Sequence, residues 1–187
     1  MRSIVTLSLL ALVPTIGCAN LHEVEPGRFY RSSQLSEAGF RDAIEDFGIR
    51  TVLRLRGGNP GDEGYDAIRR PADEAGATFE HVPMSARRLP PPEVLVRIWE
   101  VFDRAEEPIL VHCKAGADRT GLASAIWVLH ETGDLRRAKR QLDLRYLHVG
   151  WGSTDAMDQV LELYEPWAKA IDFGLWAQTV YDPEIAR

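Results

Sequence analysis

Cysteine is almost missing from this chain of 187 residues: only Cys18 and Cys113 occur. A disulfide framework is therefore excluded, since at most one bridge is possible, and a domain of this length buries enough apolar surface to do without it or a structural metal. Long apolar runs are missing too. The one at residues 4–13 falls short of the roughly 20 residues that span a bilayer. Positive charge is scarce, with 22 Lys and Arg against 28 Asp and Glu and a formal net charge of −6. That balance argues against nucleic-acid binding through overall charge. Lysine is represented by Lys114, Lys139 and Lys169 alone, and a compositional bias toward arginine accounts for it. No internal repeat, low-complexity tract or linker interrupts the chain after residue 20.

What is present is the composition of an ordinary globular domain, 45% hydrophobic and 27% charged. The first residues differ from the rest. Arg2 precedes the apolar run, and Pro14-Thr15-Ile16-Gly17-Cys18 closes it, which is the charged start and small-residue end of an export signal. Gly17 before Cys18 is similar to a bacterial lipoprotein processing site, although Thr15 stands where leucine is usual. The expectation is an exported protein, periplasmic or attached to a membrane through a lipidated Cys18; without a functional signal it would be cytoplasmic. With Cys18 lipidated, Cys113 has no disulfide partner and stays a free thiol.

Short apolar runs alternate with amphipathic segments, the pattern of an α/β domain. Ser36 caps a helix to residue 47 that Gly48 ends, and residues 51–55 form a strand. A helix over 65–75 contains Pro71, and a second strand covers 79–83. Pro90-Pro91-Pro92 opens a helix over 93–105, residues 108–112 form a buried strand, and a helix covers 120–131. Asp134 and Ser153 cap two more helices, ending near residues 145 and 170. The expected division is an export segment at 1–18, a domain at 21–170 and an unassigned tail at 171–187.

The chemistry sits between the strand at 108–112 and the helix after it, in His112-Cys113-Lys114-Ala115-Gly116-Ala117-Asp118-Arg119-Thr120-Gly121. A loop from a strand end to a helix start turns successive backbone N–H groups inward and makes a nest for an anion. Open α/β sheets bind ligands at such handovers. Gly116 permits unusual backbone angles, and Ala115 and Ala117 leave the concave face uncrowded. The positive potential of the helix start favours a thiolate at Cys113. Arg119 follows Cys113 at a spacing that lets its planar fork reach back over two phosphoryl oxygens.

This segment resembles the signature of the protein tyrosine phosphatase superfamily: His-Cys, five residues, Arg, then Ser or Thr and Gly. The match is complete over residues 112–121, and Gly27 to Gln34 is similar to the Tyr-Arg-Ser segment that opens small atypical dual-specificity phosphatases. The resemblance covers roughly residues 24–170 and implies a three-layer domain with a small, largely parallel sheet flanked by helices. It also implies hydrolysis of phosphate monoesters, of phosphotyrosine or dual-specificity type, through a phosphocysteine on Cys113. The amides of Lys114, Ala115, Gly116, Ala117, Asp118 and Arg119 would bind the phosphoryl group together with the Arg119 side chain. Thr120 would hydrogen-bond the departing sulfur, and His112 would order the loop and support the thiolate. No metal or other cofactor is implied, because arginine and backbone dipoles supply the positive charge.

One departure stands out. Such enzymes protonate the leaving oxygen with an aspartate some thirty residues before the cysteine, and residues 81–89 contain no carboxylate. Asp118 is the expected substitute, at the position where myotubularin-like relatives carry an aspartate, with a loop-bracing carboxylate as its alternative role. Glu93 and His81 are weaker candidates. Arg31 is expected either to contact the catalytic loop or to form a structural ion pair, Arg87 and Arg88 to lie in a solvated loop, and Tyr146, Trp151, Tyr164 and Trp167 to fill the core. Lys114 and Asp118 tilt the substrate toward lipid-type or broader esters, so phosphoinositides and inositol polyphosphates are the alternative to phosphoproteins. An inactive phosphate-binding module and a rhodanese-type sulfurtransferase are the competing classes. No nucleic-acid partner is expected.

Overall fold

The computed structural model describes residues 20–152 and 155–184; Cys18, the 1–18 segment and Ser153 lie outside them. Five strands form one sheet: β1 (His22–Glu25), β2 (Phe29–Ser32), β3 (Thr51–Arg54), β4 (Thr78–His81) and β5 (Ile109–His112), in the order β1-β2-β5-β3-β4. Only β1 runs antiparallel to its neighbour, so the sheet is largely parallel, as the resemblance implied. Seven helices among the described residues flank it: α1 (Glu37–Phe47), α2 (Glu63–Glu74), α3 (Pro92–Arg104), α4 (Asp118–Thr132), α5 (Leu135–Lys139), α6 (Ala156–Tyr164) and α7 (Phe173–Thr179).

The alternation of side chains along each strand divides the interior into two layers. Phe29, Leu53, Ile109 and Val111 face a larger core with α3, α4, α6 and α7, whereas Tyr30, Val52 and Leu110 face a smaller one with α1 and α2. The central β5 is buried at every position, which is why residues 109–112 form an unbroken apolar run up to His112. Both α1 ends follow the expected chemistry: the Ser36 hydroxyl accepts from the Gly39 amide, and Gly48 adopts a left-handed conformation with φ 62°. Pro71 sits inside α2 without ending it.

Other elements differ from expectation. Asp134 does cap α5, but α5 stops at Lys139 instead of continuing to residue 145. A 3-10 turn at Glu165–Trp167, with Pro166 inside it, ends α6 well before residue 170. The unassigned tail carries α7, capped by Asp172, whose Phe173 and Trp176 are buried in the main core. Gly174 lets α7 lie against α3, because a Cβ there would stand 2.6 Å from the Trp99 indole nitrogen. Among the four aromatics expected in the core, Tyr146 and Tyr164 are buried, whereas Trp151 and Trp167 are exposed.

Candidate active site

The end of β5 brings His112 beside Ser32 of β2 and Arg54 of β3, and the chain then turns through residues 113–117 into α4. All four carbonyls from Lys114 to Ala117 are held from outside this loop. The Gln34 amide donates to the Lys114 carbonyl at 3.1 Å. The Asn20 side-chain amide donates to Ala115 at 3.0 Å and, on the other side, to the Tyr146 carbonyl at 2.9 Å. Arg31 donates to Gly116 at 2.9 Å and to Ala117 at 3.3 Å. In a trans peptide the carbonyl of one residue and the N–H of the next point in opposite directions. Turning four carbonyls outward therefore turns the N–H groups of residues 115–118 inward, where the Gly116 N–H donates to Cys113 Sγ at 3.2 Å. The sulfur is buried on the inner side of this loop, where amides of an anion nest would lie.

Arg31 makes this arrangement rigid. It is fully buried, lies 3.8 Å above the Tyr146 ring, and also donates to the Gln141 carbonyl and side-chain oxygen. Burial pulls its pKa down to about 10, still well above neutral pH, so it remains charged. Of its two expected roles it fills the first, contact with the catalytic loop. Gly116, with φ 72°, completes the approach of β2 to the loop: a Cβ there would stand 2.6 Å from the Ser33 nitrogen.

The remaining signature residues occupy distinct places. Arg119 is partly buried and rests one end of its fork on the Met84 carbonyl at 3.4 Å, in the stretch that lacks a carboxylate. Thr120 Oγ1 and Arg119 Nε are buried and, among the described residues, bonded to nothing. His112 is buried against Phe40, and its Nδ1–H donates to the Cys113 carbonyl at 3.4 Å. Burial, reinforced by Arg54, lowers its pKa to about 3, so it orders the loop as a neutral ring and adds no charge beside the sulfur. Lys114 and Ala115 are exposed at the rim.

Asp118 is tied to a partner that local sequence patterns did not single out. His148, buried, donates from Nδ1 to Asp118 at 2.8 Å and from Nε2 to Asp158 at 2.7 Å. Burial lowers the pKa of this imidazole, but the two carboxylates outweigh it and push the value up to about 9. At neutral pH His148 is an imidazolium bridging two aspartates from α4 and α6. Of the weaker acid candidates, His81 donates from Nε2 to the Arg56 carbonyl and Glu93 lies in the first turn of α3, beside Arg97 and Gln178 in a surface hollow that contains no catalytic-loop residue. Arg87 and Arg88 are exposed. Among the described residues no group of His, Cys, Asp and Glu could hold a metal ion.

Solved structures with this architecture include the core catalytic domain of the PP-IP phosphatase SIW14 from S. cerevisiae, with 23% identity and a TM-score of 0.60 over 78% of this chain and 85% of that one. TpbA of P. aeruginosa is similar at 22% identity and TM-score 0.57, over 86% of this chain and 92% of that one. Tk-PTP in its active form has 21% identity and TM-score 0.61, over 81% of this chain and 98% of that one. At these identities the likeness concerns the fold. The tyrosine-protein phosphatase cdc-14 of Caenorhabditis elegans is 32% identical over 94 residues, which is 49% of this chain but only 12% of that protein. The family described as "PTP-NADK: DSP-PTPase phosphatase fused to NAD+ Kinase" matches residues 15–163, a span that holds the whole sheet, the catalytic loop and the Asp118–His148–Asp158 tie, and the chain belongs to that family.

Proposed function

We propose that this protein hydrolyses phosphate monoesters through a phosphocysteine on Cys113. The observation that carries this reading is the outward clamping of the four loop carbonyls, with the Gly116 N–H donating to the sulfur. In the first step Cys113 Sγ bonds to phosphorus as the ester P–O bond breaks, and the leaving oxygen takes a proton. In the second, water attacks phosphorus, the S–P bond breaks, and inorganic phosphate and the thiolate are released. The inward amides and the Arg119 guanidinium hold the charge that spreads over the three phosphoryl oxygens in both transition states. Thr120, whose buried hydroxyl is uncommitted among the described residues, would donate to the sulfur as it leaves.

Asp118 and the His148 imidazolium bonded to it are the proposed proton source: the imidazolium supplies the proton that Asp118 passes to the leaving oxygen, and in the second step the pair takes a proton back from water. Asp118→Ala should slow esters of aliphatic alcohols at least about tenfold more than p-nitrophenyl phosphate, whose leaving group needs no proton. An equal loss on both removes Asp118 from proton transfer and leaves it as a brace for the loop.

The substrate is proposed as a phosphotyrosine protein or a smaller, more highly charged ester. The second class is favoured by the basic surroundings of the loop. Arg54, Arg56 and Arg119 all act on His112, burial and the charges of Arg56 and Arg119 lower the pKa of Arg54, and Lys114 of the same loop is exposed. Phosphate release from a phosphotyrosine peptide, phosphoinositides and inositol polyphosphates, measured beside Cys113→Ser, tests both parts. Turnover that disappears in the variant supports the mechanism and ranks the substrates. Turnover that survives in it overturns the mechanism.

A further inference from the structure

The four most exposed large apolar side chains of the described residues all lie within eight positions of one another. Leu144 is 69% exposed, Leu147 67%, Val149 57% and Trp151 87%, whereas Trp167, Leu175 and Val180, the other large apolar residues at the surface, range from 36% to 44%. Single exposed apolar residues are common; a run of four is not.

This run does not belong to a loose loop. Between its exposed members, Tyr146 and His148 are buried: Tyr146 lies under Arg31 and shares the Asn20 amide with the Ala115 carbonyl, and His148 holds Asp118. Leu147 has φ 63°, a left-handed conformation that costs a branched residue free energy and that glycine or asparagine would adopt more readily. The segment is thus pinned by two inward residues to the catalytic loop, while its apolar residues are exposed.

The segment leading into the rim is basic. In a chain of net charge −6, residues 134–149 carry Arg136, Arg137, Lys139, Arg140 and Arg145 against Asp134 and Asp143. Arg137 and Lys139 pair with Glu25 and Glu165, the exposed Arg136 and Arg140 lie near Asp134, and the exposed Arg145 lies over the Tyr146 ring at 4.5 Å. Leucine and tryptophan flanked by arginine is the chemistry of a surface that lies in the headgroup region of an anionic bilayer. Among the described residues no helix is long and apolar enough to cross a membrane, so such contact would be peripheral.

We infer that the 144–151 rim docks the catalytic loop onto an anionic lipid surface, and that the substrate is a phosphate monoester carried on a membrane lipid. This rests on the phosphatase reading above and assigns its substrate class.

The test compares the full chain with the variant Leu144→Gln/Leu147→Asn/Trp151→Gln, in which asparagine suits the left-handed position. Vesicles of phosphatidylcholine and phosphatidylserine bearing phosphatidylinositol phosphate serve as the lipid substrate, and p-nitrophenyl phosphate as the dissolved one. The variant should lose at least about tenfold in turnover of the vesicle-borne ester, and float less with vesicles, while its rate on the dissolved ester changes by less than about twofold. Arg140→Gln/Arg145→Gln should weaken flotation about fivefold per charge on anionic vesicles and leave neutral ones unaffected. An unchanged ratio of vesicle-borne to dissolved turnover overturns the inference. So does a wild-type dimer that the triple variant dissociates, since the face would then belong to a second copy. No turnover of the dissolved ester by the wild type is the separate failure of the phosphatase reading, and flotation still tests the docking surface in that case.

Discussion

The catalytic loop is held from two sides by buried cations of different character. On the β2 side Arg31 grips the Gly116 and Ala117 carbonyls with a charge that stays on throughout the physiological range. On the α6 side His148 grips Asp118 with a charge that exists only because two carboxylates face it. The first brace sets backbone direction and so makes the anion nest. The second fixes one side chain at the start of α4 and links it to the rim. Geometry for phosphate binding is thus built from a permanent charge, while the group proposed for proton transfer is attached to a titratable one.

The contrast breaks most severely at Arg31. Arg31→Ala leaves the carbonyls of Gly116, Ala117 and Gln141 buried without that donor, and should cost about 2–4 kcal/mol of stability and at least about a hundredfold in kcat. Denaturant titration and steady-state rates check this. Arg31→Lys restores charge without the planar fork, so it should recover stability better than kcat. If lysine rescues both equally, the fork is not what shapes the nest.

Next in size is Gly116→Ala. The added methyl meets the Ser33 backbone at 2.6 Å and the left-handed φ disfavours it, so β2 and the loop must separate. A loss of kcat of roughly tenfold to a hundredfold, with the far-UV circular dichroism of the wild type, is the expected outcome. Full activity would mean that the contact between β2 and the loop is slack.

The smallest effect sharpens the other side of the comparison. His148 has its pKa raised from the ordinary 6.5 to about 9 on folding, so its contribution to stability is complete below pH 6.5 and is lost as pH rises through 9. The wild type should therefore melt at a lower temperature at pH 10 than at pH 6. His148→Gln should melt lower than the wild type at pH 6 and show less of that decline. Parallel curves for the two proteins would remove His148 as a source of the pH dependence. Its partners limit the window to carboxylates: Asp118 and Asp158 are the groups bonded to it.

Much of this was legible in the sequence because it is local. Residues 109–112 announce a buried central strand by their unbroken apolar run, and Cys113 to Arg119 follow at the handover to α4. Ser36 marks the start of α1 by a side-chain cap on the amide three residues on, and Gly48 marks its end by a left-handed backbone that glycine adopts readily. The His148 tie was not legible, since it joins positions thirty residues apart through the packing of α6 on α4. Arg31 could be suspected from the Tyr-Arg-Ser segment, but its bonds to Gln141 and the loop carbonyls depend on sheet order, not on spacing. The α7 helix was missed because it is seven residues long and owes its place to burial of Phe173 and Trp176 rather than to a long periodic pattern. Trp151 departs from expectation for the opposite reason: a tryptophan ordinarily signals core, and here the side chain is exposed.

The central claim is that Cys113 carries the phosphoryl group between two steps. Wild-type protein quenched with acid during turnover of p-nitrophenyl phosphate, then cleaved and analysed by mass spectrometry, tests it directly. A phosphoryl adduct on the peptide containing Cys113, absent from the Cys113→Ser variant, is the predicted result. Turnover with the adduct on another residue, or an undiminished rate in the variant, would contradict it.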